Sequence, residues 1–263
     1  MDLKLHGKRA LITGASRGLG FATARLLSQE GCQIALNGRD DTRLQTAVLK
    51  ISNETRAPVY GLLGDISQPE SAERVIREAA ETLGGLDLLV CNAGGPPPGA
   101  FESFDEETWQ KALNLSFMSN VRLIKAALPY LRRSEAASVL TVTSYSVKQP
   151  IPNLVLSNAI RAATVGLTKS LALELGKDGI RFNSILPAWT ETERVTELMT
   201  ARARMNGTSV AEEIAKQSKE SALGRMASPD EFAHAAVFLL SPAASYITGV
   251  MLTVDGGMYK GTL

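Results

Sequence analysis

The feature that most constrains this chain is a glycine-rich turn near its amino terminus. The apolar run at 10–12 leads into the sequence TGASRGLG at 13–20, and a helix-periodic segment follows. Glycines let the backbone turn sharply and approach a pyrophosphate, while the next helix offers free N–H groups and the positive end of its dipole. The spacing differs from G-x-G-x-x-G, but a strand, a glycine turn and a helix in this order predict a dinucleotide cradle. The predicted cofactor contacts here are Gly14, Ser16, Arg17, Gly18, Leu19 and Gly20.

The rest of the chain repeats this alternation of strand and helix. Apolar runs typical of strands occur at 9–13, 33–37, 59–63, 87–91, 138–143, 180–185 and 251–254. Nearly continuous apolar strands indicate burial from both faces, and right-handed crossovers make a doubly wound sheet the simplest topology. We therefore predict an α/β fold of the Rossmann type, a seven-stranded parallel sheet with helices on both faces, as a single domain over 1–263.

Length and composition limit the classes of partner. A chain of 263 residues with 44% apolar residues can bury one sizeable core, and a net charge of +1 argues against nucleic acid or an anionic membrane surface. No segment approaches the ~20 apolar residues of a membrane span. Cys32 and Cys91 lie in apolar segments read as strands, so we interpret them as buried thiols rather than a disulfide or metal site. We expect a soluble, cytoplasmic protein without a metal site.

The end of the second predicted strand bears on the choice of dinucleotide. An NAD-binding unit places an acid there to hold the ribose 2′-hydroxyl, but this chain has Asn37, Gly38 and Arg39. Arg39, together with Arg17 in the glycine turn, can clamp a 2′-phosphate by charge-assisted hydrogen bonds. NADP(H) is therefore favoured over NAD(H), with two solvated surface arginines as the alternative interpretation.

Short polar and small residues follow the third and fourth predicted strands. Asp65 and Ile66 come after the third strand, and Asn92, Ala93 and Gly94 come after the fourth. Open α/β sheets bind ligands along the carboxyl edge of their strands. We therefore expect these five residues to contact the adenine and ribose portions of the dinucleotide.

With these stretches in place, the chain resembles the short-chain dehydrogenase/reductase family over essentially its whole length. The resemblance is carried by the turn at 13–20, by the motif NAG at 92–94, by GLTKSLALEL at 166–175, and by the segment from 224 to 257. It implies hydride transfer between a nicotinamide ring and a carbonyl or alcohol, similar to that of a 3-oxoacyl-acyl-carrier-protein reductase. It also implies a homo-oligomer, with a tetramer as the usual assembly.

Catalysis in this family uses an Asn, a Ser and a Tyr-x-x-x-Lys pair, and only part of this set is present. Asn114 stands at the position of the helix asparagine, and Ser144 matches the family serine. Counting from Gly166, and independently from Ser144, puts Ser157 at the tyrosine position and Arg161 at the lysine position. Four residues apart on a helix, these two side chains still face the same side. The resemblance is therefore to a divergent member of the family.

The replaced pair leaves the proton donor open. A serine hydroxyl is a far weaker acid than a phenol and reaches less far, so Ser157 cannot simply inherit the tyrosine role. Arg161 stays charged and can hydrogen-bond the nicotinamide ribose or grip a substrate carboxylate. The candidate proton sources are Tyr145, with Lys148 three residues further on, and bound water relayed through Ser144 and Ser157. Tyr145 is more simply interpreted as an aromatic side chain that lines the cleft.

The segment after the sixth predicted strand resembles the family's cofactor and substrate region. Pro187 and Thr192 match the part that brings a threonine to the nicotinamide carboxamide, but Ala188 replaces the usual glycine, so Thr190 is the alternative threonine. The region near 190–220 corresponds to the family's substrate lid, and lids carry specificity. Its basic residues can face an anionic acyl carrier or a carboxylate, or form a solvated helix face.

Two functions from different classes fit these observations. The first is an NAD(P)-dependent oxidoreductase with an atypical active site, which reduces a carbonyl or oxidises the matching alcohol on a small-molecule substrate. The second is a dinucleotide-binding protein that has lost turnover and acts as a sensor or partner subunit. Asn114, Ser144 and the cation at Arg161 favour the enzyme, whereas the missing Tyr-x-x-x-Lys pair favours the second function.

Overall fold

The structure, a computed structural model, describes residues 1–262. Within this range seven strands form one sheet: β1 (Arg9–Ile12), β2 (Gln33–Gly38), β3 (Val59–Leu63), β4 (Leu88–Cys91), β5 (Ser138–Val142), β6 (Arg181–Pro187) and β7 (Met251–Val254). They lie in the order β3-β2-β1-β4-β5-β6-β7, and every neighbouring pair is parallel. The predicted doubly wound parallel sheet is therefore confirmed, with strand ends shifted by one or two residues.

Helices follow most strands and cover the sheet. In the described part of the chain they are α1 (Gly18–Gln29), α2 (Asp41–Thr55), α3 (Pro69–Leu83), α4 (Glu106–Leu113), α5 (Ser119–Leu131), α6 (Val155–Leu175), α7 (Glu193–Asn206), α8 (Val210–Ser218) and α9 (Pro229–Leu240). A π-helical turn, Asn114–Met118, joins α4 to α5, and a 3-10 turn, Tyr145–Val147, follows β5.

Both faces of the sheet are covered around its central strands, which explains why these strands are mostly apolar. In β1, Ile12 packs into a core with Leu27 of α1 and Phe232 of α9. Its neighbour Leu11 points to the other face and packs into a second core with Val75 of α3. Because successive side chains of a strand alternate between faces, covering both faces favours apolar residues at consecutive positions.

Polar side chains fix where the later helices begin. Ser228 accepts a hydrogen bond from the backbone N–H of Glu231, while the Glu231 side chain accepts from the Ser228 N–H, which forms a capping box at α9. Thr192 caps α7 by accepting from the backbone N–H of Val195. Such caps satisfy N–H groups that have no partner inside the helix. Thr192 therefore sets the point at which the chain turns from β6 into α7.

The strand order creates a crevice between β1 and β4. The chain leaves β1 toward β2 on one side, whereas β4 pairs with β1 on the other side. At the carboxyl end of this pair, the Thr13 N–H donates to the Val90 carbonyl at 3.0 Å. Ligands of open α/β sheets bind at such a switch point, outside the carboxyl ends of the strands.

Both cysteines are free thiols inside the fold. Cys32 and Cys91 are buried, and burial raises the pKa of Cys32 to about 12 and raises that of Cys91 as well. Thiols held in the neutral form behave as small apolar side chains.

Over residues 1–262, no helix combines the length and the apolarity needed to cross a bilayer.

Candidate active site

A cavity of about 380 Å³ opens at the carboxyl edge of the sheet, over the switch point between β1 and β4. Almost all of the residues predicted from the sequence to bind cofactor or to act in catalysis line this cavity. These are Gly14, Ser16, Arg17, Gly18, Leu19, Arg39, Asp65, Ile66, Asn92, Ala93, Gly94, Ser144, Tyr145, Ser157, Arg161, Pro187 and Thr192. Gly20 and Asn114 are the two that do not line it.

The glycines of the turn are required by close backbone contacts. Gly14 has φ of +56°, and a Cβ there would lie 2.7 Å from the Asn92 carbonyl oxygen. A Cβ on Gly20 would lie 2.5 Å from the Gly14 carbonyl oxygen, so Gly20 shapes the turn from behind the cavity. Gly18 has φ of +61° and faces the Thr192 side chain. Any side chain at these positions would clash or strain the backbone.

Asn92 holds the glycine turn in place. Its Nδ2 donates to the carbonyls of Thr13 and Gly14 at 3.2 and 3.0 Å. Its backbone N–H donates to Thr13 Oγ1, which in turn donates to the Asn92 carbonyl at 2.8 Å. Asn92 thus holds the turn against the end of β4, because its side-chain amide is hydrogen-bonded to the turn and does not point freely into the cavity.

The amino terminus of α1 offers an anion site that fits the phosphates of a dinucleotide. The helix begins at Gly18, its cap residue Arg17 makes no side-chain cap hydrogen bond, and its first turn holds no acidic residue. The first N–H groups of a helix lack partners within the helix. Next to them lies the space that the glycines leave free. These features suit a pyrophosphate, which would be held by backbone donors and by the helix dipole.

The two arginines near the predicted 2′-phosphate site have different surroundings. Arg39 follows β2 and is exposed at the rim of the cavity. Arg17 is hydrogen-bonded to Glu193 of α7, and its Nη1 also lies 3.3 Å from Glu197 Oε1. The hydrogen bond to Glu193 raises the pKa of Arg17. Arg17 therefore joins the glycine turn to α7 across the cavity.

No acid stands at the end of β2. Asn37 is buried there, and its Nδ2 donates to the carbonyls of Leu62 and Gly64, both at 3.0 Å. Asp65 stands at the next strand end, where its Oδ1 accepts from the Ser67 N–H. An NAD site would have an acid at this strand end to hold the ribose 2′-hydroxyl. Here the position is taken by Asn37, whose side-chain amide is already hydrogen-bonded to the backbone.

Ser157 and Arg161 lie together on α6 at the other end of the cavity. Arg161 Nε donates to Ser157 Oγ at 3.1 Å. Arg161 Nη1 donates to the carbonyls of Val142 and Thr143 at 3.0 and 3.1 Å, which fixes the guanidinium to the end of β5. Burial, reinforced by the nearby Arg194, lowers the pKa of Arg161 to about 10, so the side chain is charged at neutral pH.

Ser144 stands where β5 ends. Its Oγ accepts from the backbone N–H of Ser146 at 3.1 Å and caps the short turn that follows. This leaves the Ser144 hydroxyl hydrogen free to donate, because the recorded bond uses only the oxygen lone pair. Ser144, Ser157 and Arg161 all line the cavity, so the structure brings these three sequence-predicted residues into one wall.

Asn114 occupies a different position from the other predicted catalytic residues. It begins the π-helical turn, and its Oδ1 accepts from Arg122 Nη2 at 3.0 Å. Its neighbour Leu115 lines the cavity instead. The π-turn also frees the Ser116 carbonyl, which accepts from Thr164 Oγ1 of α6 at 3.0 Å. Asn114 thus marks an irregular turn behind the cavity wall, a feature common near functional sites.

Tyr145 is packed rather than paired with Lys148. It is 4% exposed and belongs to an apolar cluster with Trp189 and Met199. Burial raises the pKa of Tyr145, so its phenol is a weaker acid than in water. Lys148 lies over the ring of Tyr259, with Nζ 5.2 Å from the ring centroid. The structure therefore does not bring Tyr145 and Lys148 together as a local substitute for a Tyr-Lys pair.

The sequence reasoning missed Arg194, which follows Glu193 in the first turn of α7. Its Nη2 donates to the Pro96 carbonyl at 3.0 Å, which joins the start of α7 to the loop after β4. The sequence signal was the pair of opposite charges directly after the cap residue Thr192. Position 194 could not be assigned to the cavity from sequence, because the contact spans 98 residues of chain.

Comparison with known proteins agrees with this geometry. Residues 14–259 match the family model described as Enoyl-(Acyl carrier protein) reductase. The chain is 34% identical to "Dehydrogenase/reductase SDR family member 4" of Sus scrofa over 96% of this chain and 88% of the relative. It is 33% identical to the 3-oxoacyl-acyl-carrier-protein reductase FabG of Vibrio cholerae over 98% of this chain and 99% of the relative.

A solved structure gives the same result. The L-sorbose reductase of Gluconobacter frateurii, solved with NADPH and L-sorbose, superposes with a TM-score of 0.95 at 32% identity, covering 99% of this chain and 100% of that one. The fold is thus shared with an NADPH-bound reductase over almost the whole length of both chains. The chain belongs to the short-chain dehydrogenase/reductase family of NAD(P)-dependent oxidoreductases.

Proposed function

We propose that this protein is an NADPH-preferring reductase that converts a carbonyl of a small-molecule substrate to an alcohol through an atypical active site. The observation that supports this most directly is the joining of two parts in one cavity. A phosphate cradle at the start of α1 lies at one end, and the Ser144, Ser157 and Arg161 wall lies at the other. When bound, the cofactor supplies the hydride, and the chain has to orient the carbonyl and supply a proton.

In this proposal the cofactor contacts are those predicted from the sequence. The phosphates sit on the turn from Gly14 to Gly20, and Arg39 with Arg17 takes the 2′-phosphate. Asp65, Ile66 and 92–94 contact the adenine and ribose portions, while Pro187 and Thr192 face the nicotinamide. The cavity position of these residues supports the assignment. Arg17 would have to exchange its bond to Glu193 for the 2′-phosphate.

Ser157 is proposed as the last group in the proton path. Its oxygen accepts from Arg161, so its hydroxyl hydrogen is free to point into the cavity. A cationic donor also favours the partly negative oxygen that develops as the proton leaves. Ser144 orients the carbonyl oxygen, and water that reaches the wall restores the proton on Ser157. Tyr145 lines the cavity, and burial raises the pKa of its phenol, which makes it a poorer proton donor.

Several broader features belong to the same proposal. We place a substrate lid near 190–220 within a single domain over 1–263, because the first turns of α7 line the cavity and α8 packs against α7. A homotetramer is proposed because the family resemblance implies one, and Leu173 of α6 is 77% exposed and so available to such an interface. Two unpaired buried cysteines suit a reducing compartment such as the cytoplasm.

The second candidate function is a dinucleotide-binding sensor or partner subunit without turnover. It is favoured by one observation: three donor bonds of Arg161 tie it to Ser157 and to the backbone, as a structural residue would be tied. In this case the cofactor binds, but the wall serves only to shape the cavity.

An assay of NADPH oxidation over ketones, oxo acids and acyl thioesters separates the two. We expect turnover that falls by about a hundredfold or more in Ser144→Ala with unchanged cofactor affinity. The control is Ser170→Ala, an exposed residue of α6 that bonds only within its own helix, to the Gly166 carbonyl. Micromolar cofactor binding without any turnover above the variant background would instead establish the sensor.

A further inference from the structure

Arg161 brings a positive charge to the cavity without an acidic partner. Its Nε and Nη1 atoms are committed to Ser157 Oγ and to the carbonyls of Val142 and Thr143. Within the described part of the chain, its Nη2 has no hydrogen-bond acceptor, and no carboxylate contributes to its electrostatic surroundings. A guanidinium that is fixed along one edge and open along the other is prepared to bind an anion.

A second guanidinium approaches the same point. Arg194 Nη2 donates to the Pro96 carbonyl, so the side chain crosses from α7 to the loop after β4. A Cβ on Gly95 would lie 3.6 Å from Arg194 Nη2 and 3.8 Å from Arg161 Nη2. Within residues 1–262, the carboxylate that forms an ion pair with Arg194 is that of Glu197, whose Oε2 lies 3.7 Å from Nη1. Two positive charges therefore converge beside Gly95, where they repel each other.

The surroundings of Arg161 disfavour its charge, first through burial and second through the neighbouring Arg194. Burial and the neighbouring Arg194 together lower its pKa to about 10. It remains protonated at neutral pH, so two positive charges lie in this part of the cavity, and only that of Arg194 has a carboxylate partner, Glu197. An anion that entered between them would relieve both the repulsion and part of the cost of burial.

This anion does not come from the cofactor. The phosphates of a dinucleotide have their own place at the amino terminus of α1, and a nicotinamide ribose carries no negative charge. The anion must then be part of the substrate. A carboxylate suits the site, because each of two planar guanidinium groups can donate to one of its oxygens. Ile151, Leu154 and Trp189 line the same cavity and provide an apolar wall for a carbon chain.

We infer that the substrate is an oxo acid whose carboxylate is held between Arg161 and Arg194. The inference rests on the proposed reductase function and adds the substrate class. It also makes Arg194 a specificity-determining residue, because this side chain comes from the lid region and completes the site beside Gly95.

Matched substrate pairs test the inference. We would measure kcat/KM with NADPH for short and medium-chain 2-oxo and 3-oxo acids, each beside its neutral methyl ester. In the wild-type protein the acid should exceed its ester by about tenfold or more. Arg194→Gln should lower kcat/KM for the acids by about tenfold more than for the esters and so remove this preference, and Arg194→Lys should keep part of it. The control is Arg204→Gln, since Arg204 is an exposed arginine of the same helix.

A binding measurement makes the result independent of turnover. We would titrate oxamate and its neutral analogue oxamide into the protein saturated with NADP⁺, using calorimetry. Preferential binding of oxamate that is lost in Arg194→Gln supports the inference. Equal binding of oxamate and oxamide would overturn the inference while the reductase proposal stands. The same holds if the kcat/KM assay shows a preference for the esters or for phosphate esters of ketones. Failure to bind NADPH or NADP⁺ at all would instead remove the proposed function.

Discussion

The two ends of the cavity are built in different ways. At the proposed cofactor end, the backbone shapes the cavity: glycines at 14, 18 and 20 leave space, and Asn92 holds the turn against β4. At the proposed substrate end, side chains form the cavity wall. Ser157 and Arg161 stand there at the positions where the family resemblance places a tyrosine and a lysine. A backbone site depends on steric rules that few residues satisfy, whereas a side-chain site can change its chemistry without changing the fold.

The largest expected effect comes from filling the cradle. Gly14→Ala puts a Cβ 2.7 Å from the Asn92 carbonyl oxygen on a backbone with φ of +56°, so NADPH affinity should fall by about a hundredfold or more. Gly179→Ala is the matched control, because Gly179 has φ of +76° but open space around it. It should lower Tm without changing NADPH affinity in a calorimetric titration. Normal cofactor binding by Gly14→Ala would show that the phosphates lie elsewhere.

Two asparagines allow the two ends to be weakened separately. Asn92→Ala removes the side-chain bonds to Thr13 and Gly14, and NADPH affinity should fall by about tenfold or more. Asn158 is its counterpart at the substrate end, where it binds the Ile151 carbonyl at 2.9 Å and accepts from the Ile151 N–H. Asn158→Ala should raise KM for the carbonyl substrate and leave NADPH affinity unchanged. If both variants shift the same constant, the two ends do not act independently.

Arg39 should matter for the choice of cofactor rather than for binding as such. Arg39→Ala removes an exposed cation at the rim, so NADPH affinity should fall by about tenfold while NADH affinity stays constant. Arg133→Ala, an exposed arginine outside the cavity, controls for the change in net charge. Equal titration constants for NADPH and NADH in the wild-type protein would remove the preference altogether.

The smallest effect concerns pH. Arg161 has a pKa lowered to about 10 and so is charged below that pH, and burial raises the pKa of Tyr145. Neither group changes its charge between about pH 6 and 9, so kcat/KM should stay within about twofold over that range. It should fall only as the pH rises through the pKa of Arg161 and its positive charge is lost. A titration limb near pH 7 to 8 would mean that another group supplies the proton.

These differences also explain how far the sequence could be interpreted. Glycine spacing and strand periodicity are local, so the sheet and the cradle could be predicted from 13–20 and the apolar runs. The positions of Arg194 and Asn114 could not. Arg194 contacts the loop after β4 through a bond to Pro96 that spans 98 residues, and Asn114, at the start of a π-turn, accepts from Arg122 while Leu115 lines the cavity. Neither tertiary contacts nor a π-turn leaves a periodic signal in sequence.

In the proposed reductase, Ser157 is held by Arg161 and carries the proton that a family tyrosine would carry. The most direct test is the rate of NADPH oxidation with a carbonyl substrate in Ser157→Ala and in Tyr145→Phe, each at saturating cofactor. We expect Ser157→Ala to lower kcat by about a hundredfold with unchanged NADPH affinity, and Tyr145→Phe to keep at least half of the wild-type rate. A rate that survives in Ser157→Ala and is lost in Tyr145→Phe would contradict the account and move the proton donor to the turn after β5.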